Sequence, residues 1–458
     1  MTGNISFWFD SSNHGKDPAV TVFKGDADCD IAIIGGGITG LSSAYHLKRL
    51  DPGMKVVLLE SAVVGFGASG RNAGQLVIAF GENRYNKQLA RYGAERLGEA
   101  YNYVAEGVNL IKRVMEEHQI DIDYNPSGYM QMALGKVGIP YLDGFEHFIE
   151  TIGQGSHFER LAAEQVSNEF DGPYFSDALY DKRGGEFNPL KLVRALKTIA
   201  AGLGAEIYEG SPAIHFDHTA SRIDVTTPRG CLRCDRLVLA TNGYTHLLHG
   251  LDDLSVSTMQ RPGFPHAQIT EPLSAEQWKR LKWPRRNGVN IMSPLYYSFA
   301  PTRDGRILYL SGFHRTVPYL QEMNCAFSPL SLMDAPRHLE QFFPQLAGVR
   351  TENHWGGPIS LTLDYIPHVG VSQDGRVAFA CGYWGHGIPI GAHNGRTIAE
   401  LLLGRNTTGT DAWFVKSSKK HWPHRNLAGL MMNIVAQRSR RKLRKMGRAM
   451  DPPLIFSK

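Results

Sequence analysis

The chain has 458 residues, 42% apolar and 20% charged, with 49 glycines and 24 prolines; at roughly 100–200 residues per domain this gives two or three domains and excludes a disulfide-stapled miniprotein, a fibrous chain and a disordered one. Five cysteines at irregular spacing point to free thiols in a reducing compartment, with the cytoplasm as the expected location. The net charge of +5 is uneven, since eleven Lys and Arg and no acid lie between Ala412 and Met450, leaving 38 basic against 44 acidic residues elsewhere.

The amino-terminal stretch Met1–Phe23 sets Asp10, His14, Lys16 and Asp17 among its aromatic residues and lacks the basic start and apolar run of a signal peptide. No run reaches the roughly 18 apolar residues of a membrane span. Asp30–Ile34 is short, apolar and β-branched, the pattern of a buried parallel strand. Gly35-Gly36-Gly37-Ile38-Thr39-Gly40 follows at once, then Leu41, Ala44, Tyr45, Leu47 and Leu50 near helical spacing, then a second strand, Lys55–Glu60. Gly35, Gly37 and Gly40 form G-x-G-x-x-G, and Glu60 lies twenty residues beyond the last glycine.

Each part of that βαβ unit has a mechanical reason. The first glycine permits the tight turn, the second lets backbone approach a pyrophosphate, and the third allows helix to pack on strand. Free N–H groups and the positive end of the helix dipole then face the phosphates. Gly35, Gly37, Ile38, Thr39, Gly40, Glu60 and Ser61 are therefore candidate dinucleotide contacts, with Glu60 on the adenosine ribose. The acid, with no Arg beside it, disfavours a 2′-phosphate. A glycine-rich surface turn is the plainer reading of the same glycines. Val64–Gln75 is equally open on composition: it suits a segment lying flat on a planar ring, or a surface loop.

Asp30 to Gln75, containing Gly67-Ala-Ser-Gly-Arg-Asn-Ala-Gly74, resembles the amino-terminal part of the D-amino-acid-oxidase-like flavoproteins, most closely the branch holding γ-glutamylputrescine oxidase and related amine oxidases. Gly184–Leu192 is similar to that family's mid-chain segment leading into a helix, and Leu237–Gly243 to the strand and turn closing its flavin domain. Trp355–Gly370, followed by Cys381-Gly-Tyr-Trp-Gly-His-Gly-Ile388, resembles its carboxy-terminal flavin signature. The likeness runs over residues 5 to 404.

The resemblance implies an α/β fold with a discontinuous FAD-binding Rossmann-like domain of the glutathione-reductase type over residues 27–85, 185–250 and 350–405. An α+β substrate-binding domain over 86–184 and 251–349 interleaves with it, and a basic tail occupies 406–458. It further implies FAD contacts from Ala68, Ser69, Arg71, Asn72, Ala73, Gly74, Gln75, Thr241, Asn242, Gly243, Gly357, Gly385, His386, Gly387 and Ile388. Some relatives attach FAD through a cysteine before a stretch that here is preceded by Trp355-Gly-Gly357, with no cysteine in place, so FAD is expected to be non-covalent. The activity implied is oxidation of a primary or secondary amine, of γ-glutamylputrescine or polyamine type, to an imine and then an aldehyde, with dioxygen reduced to hydrogen peroxide. A dehydrogenase passing electrons to a quinone or carrier, and a non-catalytic flavin-bearing protein, are the alternatives.

The carboxy-terminal signature also has a physical reading. Val377–Cys381 predicts a strand, Gly382–Gly387 a turn and Ile388–Leu403 a helix ending at Gly404. A helix start beside a flavin would stabilise negative charge at its N1 and C2 carbonyl edge. His386, Tyr296 and Trp384 are the catalytic candidates, His386 first through flavin contact and electrostatics and second through proton handling. Tyr296, Tyr297 and Trp384 are possible pocket aromatics, where a cationic amine gains ~0.5–2 kcal/mol on ring faces, although strand tyrosines are often core residues.

In the sarcosine and glycine oxidase relatives a basic residue after Gly-His-Gly holds the substrate carboxylate; here that position is Pro389, and a second basic position is Gln75 or Leu76. An α-carboxylate would lack its anchor, which favours an amine or polyamine conjugate over an N-methyl amino acid. Cys231-Leu-Arg-Cys234 has no second ligand pair, so no metal site is expected and a hairpin is. In the tail, Leu427, Leu430, Met431, Ile434 and Val435 repeat at helical spacing and run into Arg438–Arg448. That helix is expected to dock on the body, with contact to a membrane surface as the alternative and no nucleic-acid motif in support of a third. The expected partners are thus a small amine and dioxygen.

Overall fold

A computed structural model of the chain describes residues 5–11, 20–81, 84–219, 221–250, 256–294, 297–311, 329–423, 425–450 and 452–455. Two eight-stranded sheets dominate them. The first is built from three distant stretches of sequence. Its central strand, Ala27–Ile34, pairs in parallel with Val56–Leu59 on one side and Gly230–Leu239 on the other. Glu206–Tyr208 and Val377–Cys381 extend it in parallel, and His368–Val371 closes one edge antiparallel. Ile31, Ile33, Val56, Leu58, Leu237 and Val238 are essentially inaccessible to solvent. Strands covered on both faces need continuous apolar runs, which is why these segments do not alternate.

Helices cover that sheet. Ile38–Leu50, the first crossover, packs against the later helix Gly387–Leu402 and against Pro189–Gly202. Asn188 caps the last of these by accepting from the amides of Leu190 and Lys191. The Cys231–Cys234 stretch lies in a hairpin, Ile223–Thr227 with Gly230–Leu239, and Cys234 sits opposite Cys29 on the neighbouring strand. Among the described residues no cluster of His, Cys, Asp and Glu could hold a metal ion.

The second sheet runs, in spatial order, Thr351–Gly356, His266–Thr270, Ile307–Ser311, Tyr297–Pro301, Gly288–Met292, Tyr129–Leu134, Phe175–Asp181 and Phe158–Leu161. Thr351–Gly356 thus pairs with the second sheet although it follows residue 350. A two-stranded ladder, Gln75–Leu76 with Gly185–Glu186, ties together segments that leave and re-enter the first sheet. The terminal helix Arg425–Arg448 ends in the second core, where Leu443, Met450 and Leu454 pack with Met130, Leu134 and Phe342. No described helix is long and apolar enough to cross a membrane.

Candidate active site

The first crossover forms a close-packed glycine turn. Gly35 takes φ +112°, and a Cβ there would lie 2.7 Å from the Ala240 carbonyl oxygen. A Cβ on Gly40 would lie 2.0 Å from the Gly35 carbonyl oxygen, so neither position accepts a side chain. Helix Ile38–Leu50 starts at Gly37 without a side-chain cap, leaving its amino terminus turned to the cavity described below, although the Ile38 amide donates to Ser69 Oγ at 3.0 Å. Glu60 Oε2 accepts from the Gly36 amide at 2.7 Å, and Oε1 accepts from the Ala62 amide at 2.9 Å and Ser61 Oγ at 3.2 Å. Burial pushes this carboxyl's pKa up and the three donors pull it back. The acid braces the turn from behind.

The segment after Glu60 is clamped by the amino-terminal aromatic helix Phe7–Ser11. Ser6 Oγ donates to the Gly70 carbonyl at 2.7 Å and Trp8 Nε1 to that of Asn72 at 2.9 Å. Arg71 Nε and Nη1 donate to the carbonyls of Phe66 and Gly356, both at 2.7 Å, and Trp355 Nε1 donates to the Arg71 carbonyl at 2.8 Å. No carboxylate pairs with Arg71 among the described residues, and burial pulls its pKa down. Gln75 is fixed by Ser298 Oγ, which donates to Oε1 at 2.8 Å, and donates in turn to the Phe299 carbonyl at 3.3 Å.

From the other end of the chain, Val377–Cys381 leads through a glycine turn into helix Gly387–Leu402, which also starts without a side-chain cap. Tyr383 Oη and Thr39 Oγ1, 2.9 Å apart, join the two helix starts. Trp384 is held at φ +54°, its Nε1 donating to Thr362 Oγ1 at 2.9 Å and its ring 5.5 Å from that of Tyr365. His386 Nδ1 lies 3.2 Å from the Gly81 carbonyl oxygen. Burial pushes the imidazole down to about 4, so it is neutral at pH 7 and donates from Nδ1 to that carbonyl.

These pieces meet around one cavity of about 900 Å³. Gly37, Ile38, Thr39, Ala68, Ser69, Arg71, Asn72, Ala73, Gln75, Asn242, Gly357, Trp384, Gly385, His386, Gly387 and Ile388 line it, and the second sheet adds Asn290, Ile291, Met292 and Leu310. Gly35, Gly40, Glu60, Ser61, Gly74, Thr241 and Gly243 stand behind the wall rather than on it. Tyr296 lies outside the described residues. Tyr297 is buried in the second core, its ring 5.4 Å from that of His338, and is absent from the wall. Pro389 and Gln75 do face the cavity, so neither position offers a cation.

Sequence reasoning missed Arg84, Tyr85 and Lys87 and, from the tail, Trp422, Met431, Arg438 and Lys442, all on the same wall. The only signal for the tail residues was helical spacing: Met431, Val435, Arg438 and Lys442 form one stripe.

The donor set fits FAD. A glycine turn and two uncapped helix starts open on the cavity, Arg71 adds a cation, and Asn242 Oδ1 and Asn290 Oδ1 are buried without a hydrogen-bond partner. No cysteine lines the wall among the described residues.

Comparison with known proteins gives the same reading. The DAO family, described as FAD dependent oxidoreductase, matches residues 30–401, and the chain belongs to that family. It is 30% identical over 408 residues to a γ-glutamylputrescine oxidoreductase of Escherichia coli strain K12, covering 88% of this chain and 90% of that protein. Its fold matches L-proline dehydrogenase from P. horikoshii with a TM-score of 0.70 at 20% identity, over 85% of this chain and 97% of that one. It matches glycine oxidase from Geobacillus kaustophilus with a TM-score of 0.68 at 19% identity, over 83% and 96% respectively. The protein is an FAD-dependent oxidoreductase.

Proposed function

We propose that the chain oxidises the C–N bond of an amine of γ-glutamylputrescine or polyamine type, a step of polyamine breakdown. Bound FAD would supply the two-electron acceptor for the hydride lost from the carbon bearing nitrogen. Water then hydrolyses the imine to an aldehyde and ammonia, and dioxygen takes up the two electrons and two protons as hydrogen peroxide. The observation that carries the reading is the pair of positions Pro389 and Gln75, neither of which offers the cation that holds an α-carboxylate in the sarcosine and glycine oxidase relatives, together with the likeness to γ-glutamylputrescine oxidoreductase.

The chain's own groups then divide the work. Arg71 and the start of helix Ile38–Leu50 would neutralise the phosphate charge of bound FAD. The start of helix Gly387–Leu402 would offer partial positive charge to a flavin edge that gains electrons. Trp384 and Tyr365 form an aromatic wall that orients the amine and excludes water. His386, held through Nδ1 on the Gly81 carbonyl, is neutral and only weakly basic at working pH, and its first role is to position. Because no described wall residue is an acid, the amine must reach the cavity already deprotonated, and the rate should rise with pH toward the substrate's own pKa.

The test is anaerobic bleaching of the flavin absorbance with γ-glutamylputrescine, putrescine, sarcosine and glycine, followed by oxygen consumption and peroxide release. Bleaching by the first two and stoichiometric peroxide support the reading. Preference for sarcosine or glycine removes the substrate assignment, and bleaching without peroxide directs the electrons to a quinone or carrier instead.

A further inference from the structure

The tail forms a strap across the cavity mouth. At one end, Trp422 donates through its amide to the Thr258 carbonyl at 2.8 Å and through Nε1 to the Leu361 carbonyl at 2.9 Å. At the other, Leu443, Met450 and Leu454 are buried in the second core. Between these anchors, helix Arg425–Arg448 lays Met431, Val435, Arg438 and Lys442 along the cavity. The strap lies wholly beyond residues 30–401, the part that matches the family.

Charge on the wall is one-sided. No Asp or Glu lines the cavity among the described residues, whereas Arg438 and Lys442 from the strap and Lys87 from helix Tyr85–Tyr92 do. All three are exposed at the mouth and none forms an ion pair among the described residues. On helix Gly135–Thr151, whose Pro140, Tyr141 and Gly144 line the cavity, Asp143 and Glu146 are occupied by Arg160 and Glu150 lies off the wall. A diamine with a free second ammonium would meet only like charge there. A carboxylate would meet two cations one helical turn apart, spaced to share its oxygens.

We infer that Arg438 and Lys442 select amines carrying a carboxylate at the end remote from the oxidised C–N bond, so that the substrate class is an acidic amine conjugate rather than a plain polyamine. This rests on the amine-oxidising reading above. The near end of the substrate finds no cation at Pro389 or Gln75, and the strap supplies it at the mouth instead.

Two matched amines test it on the full-length FAD-loaded chain: N-succinylputrescine and N-butyrylputrescine, which differ by a carboxylate in place of a methyl group. Anaerobic bleaching titrations should give a Kd for the succinyl compound on the order of tenfold below that for the butyryl one, as two partly exposed charge-assisted contacts allow. Arg438→Gln with Lys442→Gln should reduce that preference below twofold, and 0.5 M NaCl should weaken it in the unaltered chain. Arg441→Gln with Lys445→Gln, the same charge change on the same helix but off the wall, should leave it intact. Equal Kd values for the two amines, or a preference that survives the Arg438/Lys442 change, overturns the inference while amine oxidation stands. Failure of every amine to bleach the flavin overturns the amine-oxidising reading, and this one with it.

Discussion

Glu186 offers a quantitative check on how the two sheets are joined. It sits in the short ladder with Gln75–Leu76, only 4% exposed, and its main chain exchanges hydrogen bonds with Asn125. Oε2 accepts from Ser127 Oγ at 2.6 Å, while Oε1 lies against Gly288 without a well-formed hydrogen bond. Burial therefore outweighs the donors and pushes the carboxyl from 4.5 up to about 8. Between those values the folded chain holds a proton that the unfolded chain has released, so stability falls as pH rises through the window. At 1.36 kcal/mol per pH unit the loss is about 3–5 kcal/mol. Glu186→Gln keeps the shape and removes the titration. The urea midpoint of the FAD-saturated variant should match the parent near pH 4.5, exceed it increasingly up to about pH 8, and hold a constant lead from there to pH 9. Parallel midpoint curves for the two chains across that range would show that the buried carboxyl is not the origin of the slope.

Two further outcomes concern the cofactor. Gly40→Ala places a methyl 2.0 Å from the Gly35 carbonyl oxygen, which the backbone can relieve only by moving the helix start off the strand; the purified variant should lose most of its absorbance near 450 nm relative to 280 nm, and parental flavin content would contradict the assigned turn. Glu60→Gln faces an amide NH2 toward one of the backbone donors that the carboxylate now satisfies, at about 1–3 kcal/mol for a buried group; FAD affinity by fluorescence titration should fall roughly tenfold, and an unchanged affinity would remove Glu60 from the cofactor's support.

What was legible in the sequence was local. Strand, glycines, helix, strand and acid in Asp30–Glu60 are each fixed by neighbours in the chain, and the structure places strands at Ala27–Ile34 and Val56–Leu59 around helix Ile38–Leu50. The same holds for Val377–Cys381 and the helix after it, observed as Gly387–Leu402. What was not legible depends on contacts between distant segments. Alternation does not say which face of a strand meets a cavity, so Tyr297 reads as a pocket aromatic and packs inward. The amino-terminal segment carries no functional signal in its sequence, and through Ser6 and Trp8 it clamps Gly70 and Asn72. The tail's spacing reads as a helix docked on the body, with a membrane-surface or anionic-partner contact as the alternative, because nothing in it indicates a cavity formed by distant segments.

The tail's position also explains an oddity of its composition. Leu427, Leu430 and Ile434 remain 51%, 57% and 42% exposed, so the apolar stripe does not dock in the ordinary way. A helix that owed its place to that stripe would bury it; this one is held by Trp422 at its entry, by Leu443 near its end and by Met450 and Leu454 beyond it. Anchored outside the mouth, the intervening turns are free to vary in side chain without loss of attachment, and so can carry charge against a wall that has none of the opposite sign. If Arg438 and Lys442 hold the far end of the substrate as inferred, that selectivity sits on a segment separable in sequence from the flavin site around Trp384 and His386.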